Sequence, residues 1–206
     1  MIDIIMSELS TSGGPVLIVL FLVSIVATST TIFKALQFAR MGVGRRKNLQ
    51  QAMVYWHGGD KAKAYHLLAE DRSPVSTAVA AAMNVLGHNP RDFNGARQVA
   101  TQSAMASLIL INRHLRVIES VVQAAPMLGL LGTVIGMIEA FGKVSQGGGA
   151  ADPAALANGI WIALTTTALG LAVAIPFYFI SVWLESRVEG ERAAMDAAIA
   201  EVTLAR

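Results

Sequence analysis

The sequence predicts an all-α protein, a three-span helical membrane protein with extended cytoplasmic helices. Three observations carry that prediction. Of 206 residues, 54% are hydrophobic and the mean hydropathy is +0.53, too apolar for an ordinary soluble domain. Three apolar runs reach the roughly 20 residues that a helix needs to cross a bilayer. No stretch shows the two-residue alternation of a half-buried strand, whereas apolar residues recur at three- and four-residue spacing.

Taken in order, residues 1–14 form an outer-surface N-terminal segment. Ile2, Ile5, Met6 and Leu9 share one helical face, so 2–10 is expected to lie as a short helix on the membrane surface. The first span covers 15–38, and its run 15–33 carries no ionisable residue. The segment lacks a basic leader and a small-residue cleavage site, so this span is expected to stay as an anchor. Residues 39–116 form a cytoplasmic helical region punctuated by caps. Asp60 after Gly58-Gly59 is expected to cap a helix over 61–70, and Ser73-Pro74 to open another to about Leu86. Asn89 is expected to cap a third with Pro90 at its first position, running without a breaker into the next span.

The second span covers 117–144 and contains Pro126. A short external loop over 145–153 leads to the third span, 154–184, which has no charge before Glu185 and is expected to kink at Pro176. Leu184, Val188, Met195, Ile199 and Val202 then recur at helical spacing, which makes 185–206 a cytoplasmic amphipathic helix continuous with that span.

Charge sets the expected orientation. Eleven of the 16 Lys and Arg fall between the first two spans, while the residues before the first span hold Asp3 and Glu8 and no cation. By the positive-inside rule the N-terminus is periplasmic, and the large loop and C-terminus are cytoplasmic. Topology and anionic membrane lipid account for the basic residues, and no nucleic-acid motif is present. The absence of cysteine excludes disulfides and thiolate chemistry. His57, His66, His88 and His114 lack ligand spacing, so neither metal nor cofactor is expected, and no nucleophile–base set suggests an enzyme.

The most informative segment is PMLGLLGTVIGMIEAF, residues 126–141. Gly129, Gly132, Gly136 and Ala140 fall on one helical face with Thr133. Glycine at this density would cost a soluble helix about 1 kcal/mol per residue against alanine, but between membrane helices it permits close backbone approach. The third span, NGIWIALTTTALGLAVAIP over 158–176, carries a similar stripe of Gly159, Ala163, Thr166, Thr167, Gly170 and Ala174. Such threonines either bond back to their own helices or, facing one another across subunits, line a narrow polar passage. Glu139 has Lys143 four residues on, the spacing of a structural helical pair, with a part in ion entry as the other reading.

GLLGTVIGM at 129–137, followed by ALTTTALGLAVAIP at 163–176, resembles the MotA/TolQ/ExbB ion-channel family, and its ExbB-type biopolymer transporters above all. The resemblance extends over all three spans, their order and orientation, and the large cytoplasmic segment. It implies a homopentamer around a dimer of a single-span ExbD- or TolR-like partner. Such an assembly uses the ion gradient across a bacterial inner membrane to drive work through a TonB-like transducer. It assigns Thr133 and Thr167 to the ion path, with Thr166 beside them. One departure stands out: many relatives carry a glutamate five residues before the third-span threonine, and here that position is Ile162. The expected function is therefore the pore-forming stator subunit of an ion-driven motor. A sodium-driven or flagellar-type stator and a non-conducting membrane scaffold are the alternatives.

Overall fold

The computed structural model describes residues 14–146 and 153–204, which form seven α-helices and no strand. They are α1 Gly14–Met41, α2 Lys47–His57, α3 Lys61–Ala69, α4 Pro74–His88, α5 Phe93–Asn112, α6 Leu115–Gln146 and α7 Pro153–Leu204. The expected surface helix over 2–10 and most of the expected loop over 145–153 lie outside the described residues. Three helical stretches are long and apolar enough to cross a membrane: Gly14–Met41, one within Phe93–Ser145 and one within Leu156–Leu204. The chain is thus an all-α, three-span membrane protein.

Chain contacts divide it into two compact units. The first takes in α1 to Ile32, α6 from Arg116 and α7 to Ser181. Its interior is thin: Val16 and Leu20 of α1 pack with Ala125 of α6 and Ala174 of α7, backed by Leu128, Ile135 and Val173. Large side chains such as Phe21, Leu130, Ile138, Trp161, Leu164 and Phe179 point outward, the inverse of a soluble core and the pattern that lipid solvates. Both Pro126 and Pro176 fall inside helices that continue past them.

The second unit takes in the end of α1 from Phe33, α2 to α5, and α7 from Val182. It has a conventional core in which Met53, Trp56, Leu68, Val79, Met83 and Ala100 enclose Met195, Ile199 and Val202 of the α7 extension. Leu184 and Val188 are buried as well, so the apolar stripe of the tail is what this core holds. With 52 residues, α7 is about 78 Å long, far beyond a hydrocarbon layer of about 30 Å.

Local capping chemistry explains the starts of α3, α4 and α5. Asp60 accepts from Lys63 N at 3.2 Å, and Ser73 accepts from Ser76 N at 3.3 Å with Pro74 in the first turn. Two expectations are corrected. The cap of α5 is Asp92, which accepts from Gly95 N at 2.9 Å. Asn89 instead closes α4, its N–H still bonded to Val85 O at 2.8 Å, and Pro90 lies in the intervening turn. Nor does α5 run on into the membrane: the helix breaks at Arg113 and His114, where His114 takes a φ of 71°.

Asp71, between α3 and α4, shows how tightly this unit is tied. Its carboxylate accepts from Ser73 N and Ser73 Oγ, each at 3.1 Å, and from Ser76 Oγ at 2.8 Å. Burial alone would raise its pKa, but the hydrogen bonds from Ser76, Ser73 and Asn48 outweigh burial and hold it below the usual carboxylate range. A carboxylate depressed on folding adds stability that is fully present above its unfolded value, about 3.9. That stability is lost as pH falls through the unfolded value towards the lower folded one. Thermal melts between pH 3 and 6 should accordingly fall less steeply for Asp71→Asn than for the native chain, and parallel curves would remove Asp71 from this role.

Candidate functional site

The two small-residue stripes meet each other within one chain. Gly129, Gly132, Gly136 and Ala140 are buried on α6, and Ile162, Ala163, Thr166 and Gly170 on α7. A Cβ added to Gly170 would fall 2.6 Å from the backbone oxygen of Ala125, and one added to Gly129 would fall 3.0 Å from Thr166 O and Thr167 Cα. At Gly132 the clash is with Thr166 Oγ1 at 2.6 Å, at Gly136 the nearest atom is Ala163 Cβ at 3.3 Å, and at Gly159 it is Ala140 Cβ. Backbones this close leave no room for side chains between them, and dispersion along the seam takes the place of a hydrophobic drive.

The threonines divide in three ways. Thr166 is fully enclosed; its hydroxyl donates to Ala163 O at 2.8 Å and also lies 3.3 Å from Gly129 O, across the seam. Thr167 is half-buried and donates to Gly129 O at 3.2 Å. Thr133 lies at the edge of the glycine face rather than in it, half-buried, with its hydroxyl turned back on Leu130 O at 2.6 Å. Each hydroxyl thus spends its proton on a carbonyl and keeps an oxygen lone pair for another group. Thr165 bonds its own helix at Trp161 O, 2.9 Å away.

At the far end of the same helix pair, Lys143 Nζ lies 2.8 Å from Glu139 Oε1. The pair borders a cavity of about 130 Å³ lined also by Gly136, Asn158, Gly159 and Ile162. Ile162 is 7% exposed, so this chain presents a hydrocarbon side chain to that cavity.

One residue escaped the sequence reading. Lys34 is fully buried, and its Nζ donates to Ile111 O at 2.8 Å and to Gln37 Oε1 at 2.9 Å, beneath the ring of Phe38. Ile111 O is among the last carbonyls of α5, which a helix leaves without an internal partner, and a cation there also meets the negative end of the helix dipole. Lys34 therefore holds the α5 terminus where the chain turns at His114, whose ring packs edge-on against Phe33 at 5.7 Å. The only sequence signal is a lysine set in an apolar helix, which reads equally well as a snorkelling residue. Lys34→Met keeps the length but strands the carbonyl, so it should cost about 1–3 kcal/mol and speed amide exchange around Arg113. Unchanged exchange there would show that the break holds itself.

The fold defines an integral membrane protein in which two spans are joined by a seam of glycine, alanine and threonine. The sequence profile of the MotA/TolQ/ExbB proton channel family matches residues 70–197, and the chain belongs to that family. It is 33% identical over 65% of its length to a putative biopolymer transport protein ExbB homolog of Methanothermobacter thermautotrophicus, covering 46% of that protein. It is 27% identical over 80% of its length to the putative biopolymer transport protein ExbB-like 3 of Synechocystis, covering 77% of it. A shorter match, 45% identical over 32% of the chain and 28% of its counterpart, is to the biopolymer transport protein exbB1 of Vibrio cholerae. The chain thus spans about half the length of the Methanothermobacter protein. These likenesses make it an ExbB-like, transport-related membrane subunit of a family of channel proteins rather than of a known enzyme class.

Proposed function

We propose that this chain is the pore-forming stator subunit of an ion-driven motor in a bacterial inner membrane, with its N-terminus periplasmic and its C-terminus cytoplasmic. Five copies enclose a dimer of a single-span ExbD- or TolR-like partner, and the proton-motive force is passed to a TonB-like transducer. The observation that carries the reading is the pairing of α6 with α7, which leaves Thr133 and Thr167 half-buried beside a stretch of seam that contains no carboxylate, Glu139 lying beyond Gly136 at its far end. Hydroxyls in that position order water or donate to a charged group but cannot themselves carry a proton at neutral pH. The carrier is then a carboxylate on the partner's span, whose charged form, costly in a membrane, Thr133 and Thr167 solvate through ordered water or by turning their hydroxyls from Leu130 O and Gly129 O. Thr166, enclosed in the seam, supports Thr167 from behind.

Proton uptake into vesicles holding the subunit with its partner tests this. Thr→Val removes the hydroxyl at nearly constant shape, so Thr133→Val and Thr167→Val should each lower flux by about tenfold, the worth of one hydrogen bond to a charged group, with the complex still assembled. Asp→Asn in the partner's span should abolish it. Normal conduction by the partner variant would move the carrier to Glu139, and normal conduction by both threonine variants would reduce them to packing. A complex that assembles yet conducts nothing in its native form would be a scaffold.

A further inference from the structure

The turn between α1 and α2 holds cations that the ion path does not use. Glu191, fully buried on the α7 extension, accepts from Gly44 N at 3.0 Å and lies 3.0 Å from Arg46 Nη1, while Arg46 Nη2 donates to Gly190 O at 3.1 Å. That ties down a turn whose Gly42 and Gly44 have φ of 66° and 85°, conformations that glycine alone adopts cheaply. One arginine of the run is thereby neutralised and drawn inward.

Its neighbour is not. Arg45 is exposed and folds back over the turn, its Cδ 3.2 Å from where a Cβ of Gly42 would be. Arg187 comes to the same turn from α7, its Nη1 3.4 Å from where a Cβ of Gly44 would be. Two glycines two residues apart are at most about 7.6 Å from each other, so both guanidinium groups flank one rigid loop. On α7, Glu185 and Glu189 lie about 160° around the helix from Arg187, and Glu191 is already engaged. The guanidinium of Arg187 also sits 5.3 Å from the ring centroid of Trp183, a tryptophan 51% exposed. Trp183 lies two residues before Glu185, at the end of the apolar run of α7, and Arg40 lies in the last turn of α1, which is headgroup depth for both helices.

We propose that Arg45 and Arg187, presented by the turn over 42–46, bind the phosphate of an anionic phospholipid headgroup, with Trp183 beside its glycerol and upper acyl chain. The guanidinium fork matches two phosphate oxygens at once, the Glu191 anchor removes the cost of ordering the loop, and the ring of Trp183 orients Arg187. This goes beyond the ion path and holds whichever ion is carried.

The test uses the full chain in nanodiscs and takes Trp183 as reporter. Its fluorescence is the difference between the native chain and Trp183→Phe. Quenching by phosphatidylglycerol brominated on the upper acyl chain is compared with quenching by equally brominated phosphatidylcholine. Phosphatidylglycerol is expected to quench at the lower mole fraction. Arg45→Gln and Arg187→Gln should each reduce that preference about fivefold, and the double variant should lose it. If either glutamine variant loses helical signal, Arg45→Lys with Arg187→Lys, which keeps charge but not the fork, should still lower the preference. Equal quenching by the two lipids in the native chain, or an unchanged preference in these variants, overturns the site. Loss of the preference on adding inorganic phosphate at constant ionic strength would make the ligand a soluble phosphate and overturn the lipid assignment.

Discussion

Replacing Gly170 by alanine is expected to separate α6 from α7 and to lower stability by about 3 kcal/mol, the upper part of the range for overpacking. The added methyl would meet the backbone oxygen of Ala125 at 2.6 Å, and a backbone atom cannot turn aside as a side chain can. Gly190→Ala is the matched control. It sits in the same helix, nothing lies within 4 Å of the added atom, and helix propensity should stabilise it by up to about 1 kcal/mol. Opposite shifts of the thermal midpoint in detergent are therefore expected, although both changes are Gly→Ala within α7. Destabilisation of similar size in both would mean that the seam is no tighter than the rest of the helix. The same logic applies to Gly132→Leu and Gly136→Leu. Their faces are filled by α7 of the same chain, so any effect on an oligomer would follow from damage to the subunit.

Glu191→Ala should be a strongly damaging change in the second unit. It removes the acceptor of Gly44 N–H and leaves the Arg46 guanidinium without its counter-ion in a site where the arginine side chain is 30% exposed. Breaking a fully buried pair costs about 3–5 kcal/mol. Arg46 retains some water, so a loss of about 2–3 kcal/mol is expected. Glu191→Gln keeps an acceptor for Gly44 but not the charge and should fall between the two. The readout is the thermal midpoint, together with proteolysis at the turn around Arg45, which should quicken in Glu191→Ala. A Glu191→Ala chain as stable and as resistant as the native one would mean that Met195, Ile199 and Val202 hold the extension without the ion pair.

Much of the helical framework was legible because its signals are local. Asp60 and Ser73 announce helix starts through a side chain acting three residues on, and the stripe from Leu184 to Val202 announces a buried face by its spacing. The failure at Asn89 is local too. Asn89 and Asp92 both have cap chemistry, and the outcome turned on whether α4 still needed the Asn89 N–H to close its last turn. The break at His114 could not be read in this way. It is accompanied by Lys34 taking the Ile111 carbonyl, a bond between positions 77 residues apart, and no window of sequence contains both.

The sequence by itself determined that this chain lives in a membrane, that it is helical throughout its apolar runs, and that two of those runs carry faces of small residues and threonine. Periodicity and transfer energy are properties of a segment, so each can be summed along the chain without knowing what the segment meets. Only the tertiary structure decided that the two faces close on each other. That pairing enclosed Thr166, left Thr133 and Thr167 at the margin, and buried Ile162. It also decided that Lys34 and Glu191 are interior charges while Arg45 and Arg187 remain outside. A charge goes where its partner's oxygen, carbonyl or guanidinium already is, and those partners are set by contacts between residues far apart in the chain.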